Sequence, residues 1–401
     1  MSGRWVFACV VVAAGCSCQK VQEEPGPGKA PASAEVHPTS FAPKLVPLAV
    51  CHTEGLKPLD AARKLHDEGK FEEALSCAAQ ATALAPDDPL GHSERGAALA
   101  ALGRFDEAQV AYARALALDP DYTDALLGAA HLYGVSLTST RERDELASLY
   151  AERGLALAQE DRDHDLAAQF ALLSAMAFND LGQARDALER AQLVLSEKPG
   201  DAEARYEKAV ALFELCRFPE AKTAFQGMLD DAQRSAHAHH HLGLLLEREG
   251  KWKQAEKHFA KARALNPADF PEPQLMPVEE FKKEIDRAVS ELPEDMRHDL
   301  TGVPVTAEEI PQDDDLLSGD PPLSPAILGL FRGPPLDEPC TPEPGEPPDA
   351  PCRSVALYRL NLGRAVKTHG ELLEQIRVTL LHEVGHLRGE DDFELAARGL
   401  E

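Results

Sequence analysis

With 401 residues the chain has room for two or three domains, each with a core of its own. It carries 68 acidic against 41 basic residues, a net charge of −27 that repels polyanions and argues against nucleic acid as a partner. Aromatic residues make up only 5% and alanine and leucine dominate, so the composition points to a mainly α fold.

The first fifteen residues, MSGRWVFACVVVAAG, place one arginine ahead of an apolar run from Trp5 to Ala14. That run falls well short of the ~20 apolar residues a membrane-spanning helix needs, so residues 1–15 are expected to be a cleaved signal peptide. Ala13, Ala14 and Gly15 directly before Cys16 resemble a bacterial lipobox. The resemblance implies that Cys16 is acylated and becomes the new amino terminus. With Ser17 rather than aspartate next, it also implies anchoring in the cell envelope at the periplasmic face of the outer membrane. Residues 16–50 are rich in Pro, Gly, Ala, Ser and Glu without periodicity, the composition of a flexible tether that spans on the order of 30 Å.

The middle of the chain repeats itself. Gly69, Phe71, Ala74, Ala81 and Pro86 recur as Gly103, Phe105, Ala108, Ala115 and Pro120, each shifted by 34 residues. The frame returns with Gly182, Ala187 and Pro199, with Cys216, Phe218 and Ala221, and with Gly250, Trp252, Ala255 and Pro267. This pattern resembles the tetratricopeptide repeat: a small residue closes the first helix, an aromatic and an alanine pack the second, and a proline opens the next unit. Six helical hairpins are expected over 51–267, with 122–161 degenerate and its turn enlarged at SLTSTRERDE. The resemblance implies an α-solenoid whose concave groove seats a polypeptide substrate or a partner protein.

His237, His239, His240 and His241 crowd the first helix of the sixth unit, and His237 and His241 share a face at i, i+4. Nothing acidic or thiolate accompanies them in sequence, so they suit packing better than metal binding. Cys77 and Cys216 occupy packed positions of repeat helices and fit as small apolar fillers. Cys340 and Cys352 bracket TPEPGEPPDAP inside a Pro-rich insert, 337–353, and a disulfide there would close a loop with little core of its own.

NPADFPEPQLM breaks helical periodicity and marks the boundary to a last domain, 275–401. Within it, Leu372, Leu373, Ile376, Leu380 and Leu381 recur at three- and four-residue spacing, and no proline falls between Glu371 and Leu387. The spacing predicts an amphipathic helix with Gly389 as its stop. That helix contains His382-Glu383-Val384-Gly385-His386, the HExxH pattern. Histidines one turn apart can reach a single Zn²⁺, and Glu383 on the same helix is free to act as general base. Gly389 and Asp392 extend the pattern to HExxHxxGxxD, in which the glycine turns the chain back and offers a carboxylate as third ligand. Asp391 is the neighbouring candidate. No obvious oxyanion donor stands out in the sequence; Tyr358 or His369 could serve, but each suits a structural role better.

These features resemble the small bacterial zincin-like metallopeptidase family from about Met276 to Leu400. They comprise an opening helix (Val278 to Met296), a first strand (Gly302 to Thr306), an ILGLFRGPPL turn (Ile327 to Leu336), a strand ending VALYR (Val355 to Arg359), and the motif helix with its tail. The resemblance implies a small α+β domain, zinc on His382 and His386 with an acidic residue after Gly389, and Glu383 as base. The long acidic stretch between Thr306 and Ile327 departs from the family and reads as an enlarged loop. Together these readings make the chain a lipid-anchored zinc metallopeptidase whose repeats recruit protein. The alternative, from another class, is a repeat scaffold or assembly lipoprotein whose C-terminal domain binds zinc or is degenerate.

Overall fold

The computed structural model describes residues 6–8, 50–52, 55–340 and 351–400. Nearly all of the expected signal peptide and tether, with Cys16, lie outside the described residues, as does 341–350 of the Pro-rich insert. The chain divides into two compact units, 14–161 and 162–401 together with 1–13.

The first unit holds three hairpins: α1 (Pro58–Asp67) with α2 (Phe71–Leu84), α3 (Pro89–Ala101) with α4 (Phe105–Leu118), and α5 (Thr123–His131) with α6 (Arg141–Glu160). The turns of the first two need a left-handed residue, supplied by Gly69 and Gly103 at φ +72° and +71°. In the third hairpin α5 runs into a π-helical turn (Leu132–Ser136), and α6 extends to 20 residues. Ala74, Ala98, Ala108, Ala115 and Ala125 are fully buried with Tyr112, so small side chains let neighbouring helices approach closely. Cys77 is not a simple filler, because it is bonded to Cys51 across 26 residues. The cysteines ahead of the first helix gave no spacing from which that bridge could be read.

The second unit continues with α7 (His164–Asp180), α8 (Ala184–Glu197), α9 (Ala202–Glu214), α10 (Phe218–Gln226), α11 (Ser235–Arg248) and α12 (Trp252–Leu265). Cys216 stands at the turn of its second hairpin, at φ +55°, where glycine is found elsewhere. The histidines of α11 are spent on packing. The His241 ring stacks on Phe225 at 4.4 Å, that of His240 on Phe270 at 4.6 Å, and His239 Nδ1 lies 2.9 Å from His258 Nδ1 on α12.

On α9, Glu207 is 6% exposed, and burial pushes its carboxyl up to about 7 although Asn179 donates to it at 2.7 Å. A carboxyl raised on folding binds its proton more tightly in the native state, so stability is lost as the pH rises from the unfolded value through about 7. Glu207→Gln keeps an acceptor for Asn179. It is expected to be more stable than the parent by about 2–3 kcal/mol at pH 8, the gap closing toward pH 4.5, as thermal unfolding across that range would read.

The C-terminal domain follows in the same unit: α13 (Val278–Glu291), α14 (Glu294–Asp299), β2 (Val305–Glu308), α15 (Asp313–Leu316), β3 (Gly329–Arg332), β4 (Ser354–Tyr358), α16 (Arg359–Ala365), α17 (His369–Leu387) and α18 (Asp392–Ala397). Together with β1 (Val6–Ala8), the sheet has the order β1-β3-β4-β2, with β2 parallel to β4 and the other pairs antiparallel. The expected opening helix is two helices, broken at Leu292 and Pro293 because proline cannot continue the ladder. The stretch expected as an ILGLFRGPPL turn contains β3, and the first strand begins at Val305 rather than Gly302.

Side chains alternate across the sheet. Phe331, Val355 and Leu357 face one way and join Phe281 and Ile285 of α13 with Ile376, Leu380 and Val384 of α17 in the main core. Leu330, Ala356 and Tyr358 face the other way and meet Leu316, Ile327 and Leu323, with Cys216 and Phe218 of the repeats. The acidic stretch after Thr306 is therefore not a free loop. It covers the sheet's second face and fastens the domain to the repeats: Cys216 Sγ donates to Leu323 O at 3.6 Å, Arg248 donates to Pro311 O at 3.1 Å, and Arg185 pairs with Asp320. Arg364 of α16 pairs with the buried Glu247 of α11 at 2.6 Å. Cys340 and Cys352 are joined by a disulfide at the base of the insert.

Candidate metal centre

Helix α17 starts on a capping box: Thr368 accepts from the Glu371 amide at 3.2 Å while the Glu371 carboxylate accepts from the Thr368 amide at 3.1 Å. Leu372, Ile376, Leu380 and Leu387 fix its rotation against the core, which turns His382, Glu383 and His386 inward. The helix ends at Leu387, Gly389 takes φ +90°, and Arg388 ties this end to Asp295 and Asp299 of α14 at 2.7 and 2.6 Å. The chain then doubles back into α18.

His382 is 4% exposed, and His386 and Glu383 are fully buried. His382 Nδ1 lies 2.5 Å from Leu400 O, and His386 Nδ1 lies 3.0 Å from Glu390 O. A carbonyl can only accept, so both Nδ1 atoms carry protons and both Nε2 atoms present lone pairs. Those two Nε2 atoms are 2.9 Å apart, and Asp392 Oδ1 lies 3.4 and 3.3 Å from them. Three acceptors thus converge on one point, an arrangement that repels itself unless a cation sits among them. Tetrahedral ligands at about 2.0–2.2 Å from zinc stand roughly 3.3–3.5 Å from each other; both separations from Asp392 match that spacing, while the two Nε2 atoms stand closer. Among the described residues this is the group of three His, Cys, Asp or Glu side chains with ligand atoms close enough to share a metal.

The neighbouring Asp391 has a different task. It caps α18, accepting from the Glu394 amide at 2.9 Å. Glu383 lies under β3: a Cβ placed on Gly329 would fall 2.8 Å from Glu383 Oε1 and 2.6 Å from Thr379 Cγ2. Gly329→Ala is therefore expected to keep zinc while displacing Glu383, lowering kcat by on the order of a hundredfold, as steady-state peptide hydrolysis would register. Tyr358 is fully buried with its hydroxyl 3.4 Å from Arg332 Nη2, inside a network in which Arg332 also holds Glu308 and Asp315. His369 begins α17, about 20 Å from His382 at 1.5 Å per residue. Both are placed for structural work rather than for an oxyanion.

Sequence reasoning missed the two carbonyls that orient the histidines, since backbone acceptors leave no residue signature. It missed Gly329 because that contact joins elements 54 residues apart. The capping pattern Asp391-x-x-Glu394 was a readable signal, and it separates Asp391 from Asp392.

The family described as zincin-like metallopeptidase matches residues 300–400. Tetratricopeptide-repeat families match 89–122, 175–245 and 236–269. The chain carries tetratricopeptide repeats and a C-terminal zincin-like metallopeptidase domain. A curated relative, cellulose synthase operon protein C of Xanthomonas axonopodis pv. citri (strain 306), is 30% identical over 200 residues, 49% of this chain. The chain spans only 13% of that relative's length. Among solved structures, YrrB, a TPR protein with an unusual peptide-binding site, is 20% identical with a TM-score of 0.38, covering 48% of this chain and 93% of its own. Pseudomonas aeruginosa pilF is 15% identical with a TM-score of 0.42, covering 53% and 91%. In the zincin-like domain, His382, Glu383, His386, Gly389 and Asp392 all fall inside the matched residues. No described helix is long and apolar enough to cross a membrane.

Proposed function

We propose that the protein is a zinc metallopeptidase that hydrolyses peptide bonds, held to the cell envelope by lipid on Cys16, with its repeats presenting a polypeptide substrate or partner. The observation that carries this reading is the convergence of His382 Nε2, His386 Nε2 and Asp392 Oδ1, with Glu383 one residue along the same helix.

Zinc held by these three residues would supply a Lewis acid for the scissile carbonyl and lower the pKa of the attacking water. Glu383 takes the proton from that water and passes it to the leaving amine, the role of a general base and then acid. Its burial under β3 excludes bulk solvent from the carboxylate and directs it to one side of the strand. With residues 1–15 removed ahead of Cys16, β3 becomes an edge strand, and the antiparallel pairing of Val6–Ala8 with Leu330 to Arg332 marks the register an extended segment would take there. A substrate strand laid there would run its backbone past Glu383, with main-chain hydrogen bonds fixing its direction.

Metal analysis of the purified chain, joined to digestion of a diverse peptide library, tests the reading. One zinc per chain with metal-dependent cleavage supports it. Stoichiometric zinc without cleavage of any peptide would instead favour the non-catalytic scaffold.

A further inference from the structure

We propose that residues Glu390–Leu400 form a clasp that orders only when the metal is bound. The proposal rests on the zinc reading above. Five contacts from this segment meet at the motif helix: Asp392 Oδ1 joins the two Nε2 atoms, Leu400 O accepts from His382 Nδ1, Glu390 O accepts from His386 Nδ1, the Glu390 amide donates to Gly385 O at 3.0 Å, and Leu395 packs on Gly385. A Cβ on Gly385 would come within 2.3 Å of Leu395 Cδ2, so the residue inside the HExxH pattern is small to admit the clasp.

The clasp has little else to hold it. Helix α18 has six residues, far fewer than an isolated helix needs, and Leu395 is its one buried side chain while Phe393 is 76% exposed. Burying one leucine does not offset the backbone entropy of ordering eleven residues. Without a cation the convergence of two lone pairs and a carboxylate opposes closure as well. The ion removes that repulsion and adds the bonds to Asp392, so metal binding and folding of the segment are one event. Leu395 and the Leu400 carbonyl are accordingly positioning groups for the site.

Hydrogen exchange on the full chain, stripped with chelator and then given one equivalent of Zn²⁺, tests this. The amides of Glu394, Leu395 and Leu400 donate within the clasp, to Asp391 Oδ1, Asp391 O and Leu395 O. They are expected to exchange at least tenfold more slowly with zinc, while those of Ile376 and Leu380 in the helix core stay unchanged. Leu395→Ala should weaken zinc binding by about tenfold or more, with Leu395→Met restoring it and α17 protection intact in both. Zinc bound at one per chain with equal exchange across 391–400 in both states overturns the clasp alone. A chain that takes up no zinc overturns the clasp together with the metal site.

Discussion

Glu383→Gln is expected to retain one zinc per chain and to lose peptide hydrolysis by a factor of roughly 10²–10⁴, the range over which a positioned general base contributes. Glutamine has the same shape, so the packing beneath Gly329 and Thr379 is kept and only proton transfer is removed. His386→Ala is expected to fail differently. It deletes one of three ligands from a fully buried position, leaves the Glu390 carbonyl without its donor, and should lose zinc and activity together. Paired metal analysis and hydrolysis assays separate the two variants. Wild-type turnover in Glu383→Gln would remove the carboxylate from the chemistry and overturn its assignment as general base.

The adjacent aspartates give the second large contrast. Asp392→Ala removes the third ligand and is expected to weaken zinc by on the order of a hundredfold or more, as competition with a chromogenic chelator would measure. Asp391→Ala removes a helix cap, with an expected cost of about 1 kcal/mol in local stability and a much smaller change in zinc affinity. Equal zinc affinities in the two variants would mean that the ligand assignment between them is wrong.

How far the fold could be read from sequence depended on the range of the interactions. The repeats were legible because each unit solves the same local problem: a left-handed turn at Gly69 or Gly103, followed by alanines small enough for close helix contact. The motif helix was legible for the same reason, its apolar spacing and histidine pair both lying within one element. What stayed hidden joins distant parts of the chain. Cys51 meets Cys77 in space without any spacing rule, Gly329 is fixed by a side chain on a later helix, and the acidic stretch after Thr306 gains its place only from partners on the repeats. Polar composition made that stretch look like solvent-facing loop. Leu316, Leu323 and Ile327, three apolar residues scattered among its aspartates and prolines, are the ones that dock.

The sheet of the zincin-like domain is greasy on both sides, and one of its two covers belongs in part to the repeats. A fragment cut free of the repeats would thus lose Cys216 and Phe218 from that cover, leaving Leu323 and its neighbours open to water and inviting self-association. The zincin-like domain is consequently no detachable cartridge. The hairpin that carries Cys216 and Phe218 is part of that domain's own cover.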